Sequence, residues 1–509
     1  MAGIEAGRRL LGPMMPQVWL KEQRRKKEIY AVQLRTERRN EAAQRRRVGG
    51  MERREIEQVD VPKELISEFP RLDVAEGEER LEILKEVLQT AGLHPNTYLS
   101  TLSVLRQSLS HSSTPPVHTL TKAGFIPLLA HYIDLHSYSS VIVLEAAWAL
   151  CNLAAGPKST ADLIVSSGSI DRLKGVIDQG YEEVSETAIW ALGNLAEDGV
   201  LYRDLLLASG AHLPLLSILL EASDISDSLS RVISWTLSAL TKGQPAVSTA
   251  IVKAILPGLQ ELAALVDNAT QLDVLQTLGN VTCWETEYCE LVAGAGLLRY
   301  AVAFLPASEG DFLLPALRVI GNVAACSDWM TQQILDLDIL DRLEPLILHE
   351  NTAIRKQVLW TLSNIAAGST AQIQLFIAHS LSWRLLECFD DANYFVRKET
   401  VWVVGNLVKK GTSEQCAAMI CAELIGRLAG VLREDVDLAR KGVEIVQKLL
   451  LAGQSEQKRT AAPQNPAAQL LEATGCLREL EQLSTHSNIH LSTASSSLLQ
   501  AYFESEQAG

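Results

Sequence analysis

The stretch EAAWALCNLAAG, residues 145–156, returns along the chain in altered but recognisable form. Six further copies occupy residues 186–199, 232–243, 273–283, 315–326, 357–368 and 399–411. The positions equivalent to Asn152 are 152, 194, 239, 280, 322, 364 and 406, and their nearly constant spacing equals one repeat. A period of about 42 residues, with room for two or three helices, indicates a stack of helical repeats.

Composition agrees with a helical repeat protein. The 509 residues are 47% hydrophobic and only 5% aromatic, with Leu, Ala and Val abundant, which favours helices packed on helices over β-structure. We therefore predict an all-α fold, an armadillo-repeat right-handed α-solenoid with a flexible basic N-terminal arm. The predicted domains are a basic arm at 1–54, an acidic linker at 55–80, about eight or nine armadillo repeats at 81–453, and an atypical C-terminal capping repeat and tail at 454–509.

One face of each repeated helix is polar. On a helical wheel, Asn152 falls on the same side as Trp148, because it stands one turn further along the helix. Leu150 and Leu153 fall on the opposite side. Alignment of such helices would form a surface of indoles and carboxamides. A carboxamide can pair with a peptide backbone, and an indole face attracts Lys and Arg, so the pattern indicates a peptide-binding groove. Packing between repeats is the alternative interpretation of the same residues.

Acidic residues accompany this polar face. Glu145, Asp273 and Glu399 each stand three residues before the position equivalent to Trp148, and Asp198 stands just beyond its predicted helix. Such carboxylates would select basic partners, although single surface acids more often serve solubility alone.

These residues resemble the ladder with which the importin-α (karyopherin-α) family binds nuclear localisation signals. The resemblance implies a major peptide site at Trp148, Asn152, Trp190, Asn194, Asp198 and Trp235, and a minor site at Arg318, Asn322, Trp360, Asn364, Glu399, Trp402 and Asn406. The chain departs from the family pattern at Ala239, where an Asn is expected, and at Gln276, where an aromatic residue is expected. It therefore looks like a divergent member.

Charge is divided unevenly along the chain. Residues 1–54 carry 15 Lys/Arg and 6 Asp/Glu, and the remaining residues carry 31 and 55. The segment 21–47 resembles the importin-β-binding segment of the family, which implies carrier contacts by Arg24, Arg25, Lys26, Lys27, Arg35, Arg38 and Arg39 and autoinhibition by Arg45, Arg46 and Arg47. A solvated charged tail and a nucleic-acid contact are the alternatives for this arm.

Other functional classes find no support in the sequence. It contains no nucleotide-binding loop, nucleophile elbow or zinc-protease motif, so we expect no enzyme, cofactor or metal site. The eight cysteines form no C-x-x-C pair and are expected to be thiols in a reducing compartment. No secretory signal or membrane span is expected.

The sequence thus predicts a nuclear import adaptor that binds basic nuclear localisation signals in its Trp/Asn groove. Its expected partners are an importin-β-like carrier and cargo proteins that carry basic signals, without direct nucleic-acid binding. The resemblance implies shuttling between cytoplasm and nucleus. A non-transport armadillo scaffold for other proteins is the alternative, and the basic arm argues for transport.

Overall fold

All regular secondary structure in the described residues is helical. The structure, a computed structural model, describes residues 61–111, 116–177, 179–222, 224–305 and 310–503. Over these residues every regular element is an α- or 3₁₀-helix, and no strand occurs. The prediction of an all-α fold is therefore confirmed. The predicted arm at 1–54 lies outside the described residues.

The described chain divides into two compact units, called here the N-terminal unit (up to Val281) and the C-terminal unit (from Thr282). Helices of the N-terminal unit are Lys63–Glu68, Pro70–Asp73 (3₁₀), Gly77–Gln89, Pro95–His111, Val117–Lys122, Phe125–His131, Ser140–Ala154, Lys158–Ser166, Ser169–Val176, Glu182–Glu197, Val200–Ala208, His212–Glu221, Asp227–Thr241, Thr249–Ala264 and Asn268–Thr282, the last of which ends at the first residue of the C-terminal unit.

The C-terminal unit is built in the same manner. Its helices are Thr286–Gly294, Leu297–Ala303, Gly310–Ala324, Asp328–Leu335, Ile339–Leu343, Glu344–Leu346 (3₁₀), Thr352–Ala366, Thr370–Ala378, Leu381–Glu387, Cys388–Asp390 (3₁₀), Tyr394–Lys410, Ser413–Ala418, Ala422–Leu432, Val436–Thr460, Pro466–Ala473, Cys476–Ser484 and Ile489–Tyr502. Two short helices and a longer one recur, as the period predicts.

The seven sequence copies fall in long helices, which we call ladder helices. They are Ser140–Ala154, Glu182–Glu197, Asp227–Thr241 and Asn268–Thr282, followed by Gly310–Ala324, Thr352–Ala366 and Tyr394–Lys410. In the N-terminal unit, Glu182–Glu197 packs against both Ser140–Ala154 and Asp227–Thr241. In the C-terminal unit, Thr352–Ala366 packs against both of its ladder neighbours. The apolar stripe of these helices is buried; Leu150 and Leu153, for example, are 0% exposed.

A left-handed residue joins the two shorter helices of many repeats. Gly168 and Gly296 both have φ of 73° at this turn, a conformation that costs glycine little because it lacks a Cβ. Asp338 adopts the same region with φ of 55° at the equivalent place, one repeat after Gly296. The turn reverses the chain and brings the following apolar helix onto the core.

Two predicted domain boundaries differ from the observed elements. Residues 63–73, assigned above to an acidic linker, form a short helix and a 3₁₀-helix that bury Leu65 and Leu72. The many acidic residues around these leucines led to the prediction of a linker. The predicted end of the repeats at residue 453 lies inside a continuous helix, Val436–Thr460.

Candidate functional site

The candidate site consists of rungs, where a rung is the pair of residues equivalent to Trp148 and Asn152 on one ladder helix. Trp148, Trp190 and Trp235 in the N-terminal unit are half-buried. Trp360 and Trp402 in the C-terminal unit are also half-buried. Each indole therefore keeps part of its surface in solvent, whereas the leucines of the same helices are enclosed. This division agrees with the helical-wheel analysis.

The rung asparagines are latched to the preceding repeat, which the sequence did not reveal. Each uses its side-chain Nδ2 to donate a hydrogen bond to an atom 40 to 43 residues earlier. The pairs are Asn152 with Ser110 Oγ (2.9 Å), Asn194 with Cys151 O (3.3 Å), Asn280 with Ser238 O (3.2 Å), Asn322 with Thr282 Oγ1 (3.1 Å), Asn364 with Gly321 O (3.1 Å) and Asn406 with Ser363 O (3.0 Å). Inter-repeat packing, the alternative left open by the sequence, is thus part of their role.

The latch leaves a polar atom available at two rungs of the C-terminal unit. Among the described residues, no donor reaches Oδ1 of Asn364 or Asn406. Both residues are half-buried rather than enclosed. An amide oxygen accepts hydrogen bonds, and at Asn364 the second hydrogen on Nδ2 also remains a donor, whereas Nδ2 of Asn406 donates to both O and Oγ of Ser363. Each latched carboxamide can therefore still pair with the backbone of a bound chain, in a fixed orientation.

Glycines beside the asparagines receive the next indole. A Cβ placed on Gly193 would lie 2.4 Å from Cζ3 of Trp235, and one placed on Gly321 would lie 2.2 Å from Cζ3 of Trp360. Real Cβ atoms do not approach so closely, so a side chain at either position would displace the ring. The Gly-Asn pair in the repeat thus sets the position of the following tryptophan.

The third rung of the N-terminal unit departs from this arrangement. Trp235 meets Trp190 edge to face, with ring centroids 6.3 Å apart and planes at 60°. This is a contact distance for aromatic rings, so no aliphatic stem fits between the two indoles as they stand. Ala239, which replaces the asparagine, is 2% exposed. The predicted major site therefore has two complete rungs and an incomplete third.

Two rung tryptophans each have a cationic side chain of the same protein over the ring face. In the N-terminal unit, Arg106 lies over Trp148 with 4.4 Å from Cζ to the ring centroid, and it pairs with Glu145 at 2.5 Å. In the C-terminal unit, Lys441 lies 5.0 Å over Trp402 and pairs with Glu444 at 3.0 Å. Neither cation was predicted from the sequence. The signal was present for Arg106, because it stands one full repeat before Trp148.

The predicted acids occupy different environments. Glu399 is half-buried and forms no ion pair or hydrogen bond with a described residue. Burial raises the pKa of its carboxyl group, although Lys356 and Lys398 partly oppose the shift. Asp198 directly follows its ladder helix and is half-buried.

Asp273 is not an accessible ladder acid, which corrects the expectation from the sequence. It is 2% exposed, and its Oδ2 accepts a hydrogen bond from Ser234 Oγ at 3.2 Å. The hydroxyl comes from the preceding ladder helix, where the small serine side chain lets the two helices approach. Gln276 on the same helix as Asp273 is exposed, as is Arg318 in the C-terminal unit.

The described part of the chain was found to contain neither a single membrane-spanning helix nor a cluster of metal-ligating side chains. No single helix there is long and apolar enough to cross a membrane; the pair Val200–Ala208 and His212–Glu221, bent by 62°, passes by length and composition only when joined. No group of three or more His, Cys, Asp or Glu side chains within those residues could hold a metal ion.

Comparison with known proteins finds relatives that match most of the chain. The Armadillo/beta-catenin-like repeat family matches residues 328–367. Importin subunit alpha-1a of Oryza sativa subsp. japonica is 28% identical over 492 residues, covering 96% of this chain and 90% of the rice protein. Over most of its length the chain is similar to importin-α proteins, as a divergent member of that family would be. Importin subunit alpha-1b of the same species is 29% identical over 80% of this chain and 76% of its own length.

A solved structure supports the same fold. The crystal structure of an engineered protein covers 84% of this chain and 98% of its own length, with a TM-score of 0.70 and 20% sequence identity. At that identity the likeness concerns the fold alone. The similarity to importin-α proteins and the armadillo repeat support two broad functions, a nuclear import adaptor or an armadillo scaffold.

The Gly321 contact generates a stability prediction. Gly321→Ala places a Cβ against Trp360, and we expect the free energy of unfolding to fall by about 1–3 kcal/mol, as for other overpacked sites. Gly430→Ala is the matched control, because Gly430 is exposed in the helix Ala422–Leu432 and a Cβ there would meet nothing within 4 Å. That control should gain about 0.5–1 kcal/mol. Urea denaturation followed by circular dichroism measures both, and equal gains would contradict the contact.

Proposed function

We propose that the protein is a nuclear import adaptor. In this proposal the rungs bind extended basic segments of cargo proteins, and residues 1–54 bind an importin-β-like carrier. The observation that carries the proposal is the recurrence of one rung, a half-buried indole beside a latched carboxamide, on successive helices of each unit. Repetition at a fixed spacing suits a ligand that itself repeats, such as an extended polypeptide.

The chain's own cations indicate what the indoles accept. Arg106 and Lys441 lie over Trp148 and Trp402 at distances typical of cation–π contacts. Each cation is also paired with a carboxylate nearby, Glu145 or Glu444. A Lys or Arg of a bound peptide would meet the same combination of ring face and carboxylate at rungs that have no cation of their own.

The fixed carboxamides supply backbone recognition. Latching removes rotamer freedom from Asn364 and Asn406 before any ligand binds, so less conformational entropy is lost on binding. Oδ1 of either residue accepts from a peptide N–H, and at Asn364 the second Nδ2 hydrogen donates to a peptide carbonyl. Such contacts do not depend on the ligand's side chains, whereas the indoles and acids select basic ones.

The family and the charge distribution support the carrier and the cargo. Similar proteins are named importin alpha subunits. The strongly basic residues 1–54 contrast with the acidic remainder of the chain, which suits an arm that binds either an acidic carrier or the rung surface. In this proposal Arg24, Arg25, Lys26, Lys27, Arg35, Arg38 and Arg39 meet the carrier, and the protein shuttles between cytoplasm and nucleus.

The rungs are tested with paired substitutions. We expect Trp360→Ala with Trp402→Ala to weaken binding of a short Lys- and Arg-rich peptide by about 1–3 kcal/mol for each indole that is a hot spot. Trp148→Ala with Trp190→Ala should cost less, because the N-terminal unit has an incomplete third rung. Titration calorimetry on chains lacking residues 1–54 measures both.

The matched control removes two other tryptophans of the C-terminal unit. Trp329 and Trp383 are 57% and 61% exposed and belong to no rung. Alanine at both positions should leave the peptide affinity unchanged. Equal losses from control and rung variants would contradict the site, and a larger loss from the Trp148 and Trp190 pair would reverse the proposed order of the two sites.

Glu399 gives a dependence on pH. Because burial raises its pKa, this carboxylate is charged only above a value higher than that of an ordinary Glu, and its attraction for a cation is lost as the pH falls through that value. As the pH is lowered from neutrality towards the usual pKa of Glu, peptide affinity should therefore decline more steeply in the wild type than in Glu399→Gln. Parallel profiles from fluorescence anisotropy would show that Glu399 does not contact the ligand.

The arm is tested by deletion. If Arg45, Arg46 and Arg47 occupy the rungs in the absence of a carrier, removal of residues 1–54 should raise peptide affinity, since a tethered segment competes at high effective concentration. The deletion should also abolish capture by purified importin-β. Peptide binding by the rungs with no importin-β binding by the full chain would favour the scaffold instead, and an unchanged peptide affinity at low salt would reject autoinhibition.

A further inference from the structure

Three thiols lie around the rung formed by Arg318 and Asn322. Cys289 on the helix Thr286–Gly294 and Cys326, which follows the ladder helix Gly310–Ala324, have their Sγ atoms 2.8 Å apart. Cys283 interacts with Arg318. Cysteines that come this close from different helices, 37 residues apart in sequence, need only a small movement to form a covalent bond.

Each thiol of the close pair is connected to the backbone of the rung. Cys326 Sγ donates to the carbonyl oxygen of Asn322 at 3.3 Å, and Cys289 Sγ donates to the carbonyl oxygen of Thr282 at 3.4 Å. Asn322 in turn donates from Nδ2 to Thr282 Oγ1. Thiols and rung therefore form one connected network, in which both sulfurs are held facing each other.

We propose that Cys289 and Cys326 are a dithiol modification site, which a peroxide converts reversibly to a disulfide. Cys326 is half-buried whereas Cys289 is 0% exposed, so the oxidant reaches Cys326 first. The adjacent Cys326 side chain and burial also raise the pKa of Cys289, which disfavours its thiolate as the first nucleophile.

The chemistry requires two steps. The Cys326 thiolate attacks the O–O bond of the peroxide; sulfur gains an oxygen as sulfenic acid, and the other oxygen leaves as hydroxide, which takes a proton to become water. The Cys289 sulfur then attacks the Cys326 sulfur, the S–S bond forms, and the sulfenic oxygen leaves as a second water with the Cys289 proton. Two thiols are oxidised while one peroxide is reduced.

Oxidation would change the rung locally. Both S–H donors are consumed, so the carbonyl oxygens of Asn322 and Thr282 lose these hydrogen bonds. At the same time the bond joins the Thr286–Gly294 helix to the end of the ladder helix that carries Asn322. The rung is then held by a covalent bond in place of two weak thiol hydrogen bonds.

The test uses the full chain with hydrogen peroxide at one equivalent per chain, followed by alkylation, digestion without reductant and mass spectrometry. We expect a peptide pair joined through Cys289 and Cys326, with the mass of two hydrogens lost, and its disappearance after dithiothreitol. Cys326→Ser should abolish this pair. Cys283→Ser should retain it, which separates the proposed bond from one made by the neighbouring thiol.

Other products would overturn the proposal. A link between Cys283 and either partner as the main product would assign the reactive pair differently. Alkylation of both Cys289 and Cys326 after denaturation, with other cysteines oxidised, would show that the close pair does not react. Sulfinic acid at Cys326 with Cys289 still a thiol would show that the second thiol does not resolve the first.

Discussion

The hydrogen bond from each rung asparagine to the preceding repeat is the interaction on which the site depends. It spans a whole repeat, so it fixes the spacing of neighbouring ladder helices and the orientation of the carboxamide together. Asn364, for example, reaches the carbonyl oxygen of Gly321, and that glycine lies beneath Trp360. Gly321 thus contacts both residues of the next rung: its carbonyl oxygen accepts a hydrogen bond from Asn364, and its Cα lies against the ring of Trp360. The same contacts that hold the repeats together prepare the surface that would bind a ligand.

The two units use this interaction unequally. In the N-terminal unit Ala239 cannot form a latch, and Trp235 leans over Gly193 into contact with Trp190. The missing carboxamide and the contact between neighbouring indoles therefore occur at the same rung. The C-terminal unit keeps both its Trp360 and Trp402 rungs, and its glycines keep their places beneath the next repeat.

The period in the sequence was enough to predict the helices, their polar face and the residues of every rung, because each of these follows from spacing along one helix. Contacts between repeats were harder to predict from the sequence, since they depend on how closely two helices approach. Asp273 falls on the polar side by its spacing, yet a serine on the neighbouring helix allows that helix to cover it. Arg106 over Trp148 is the opposite case, because the offset of one repeat alone would have paired them.

Trp360 differs from the other rung tryptophans in what lies over its ring face. No cation or aromatic ring of the described residues lies over it, whereas Trp148 and Trp402 have cations of the chain and Trp190 and Trp235 meet each other. Glu399, on the adjacent ladder helix, has a pKa raised by burial and no ion-pair partner among those residues. A cation bound beside it would stabilise the charged carboxylate and lower that pKa, and by linkage the carboxylate would strengthen binding of the cation by the same free energy. Desolvation of Glu399 without a partner is unfavourable in the free protein, so the gain on pairing is larger here than at an acid already neutralised, such as Glu145.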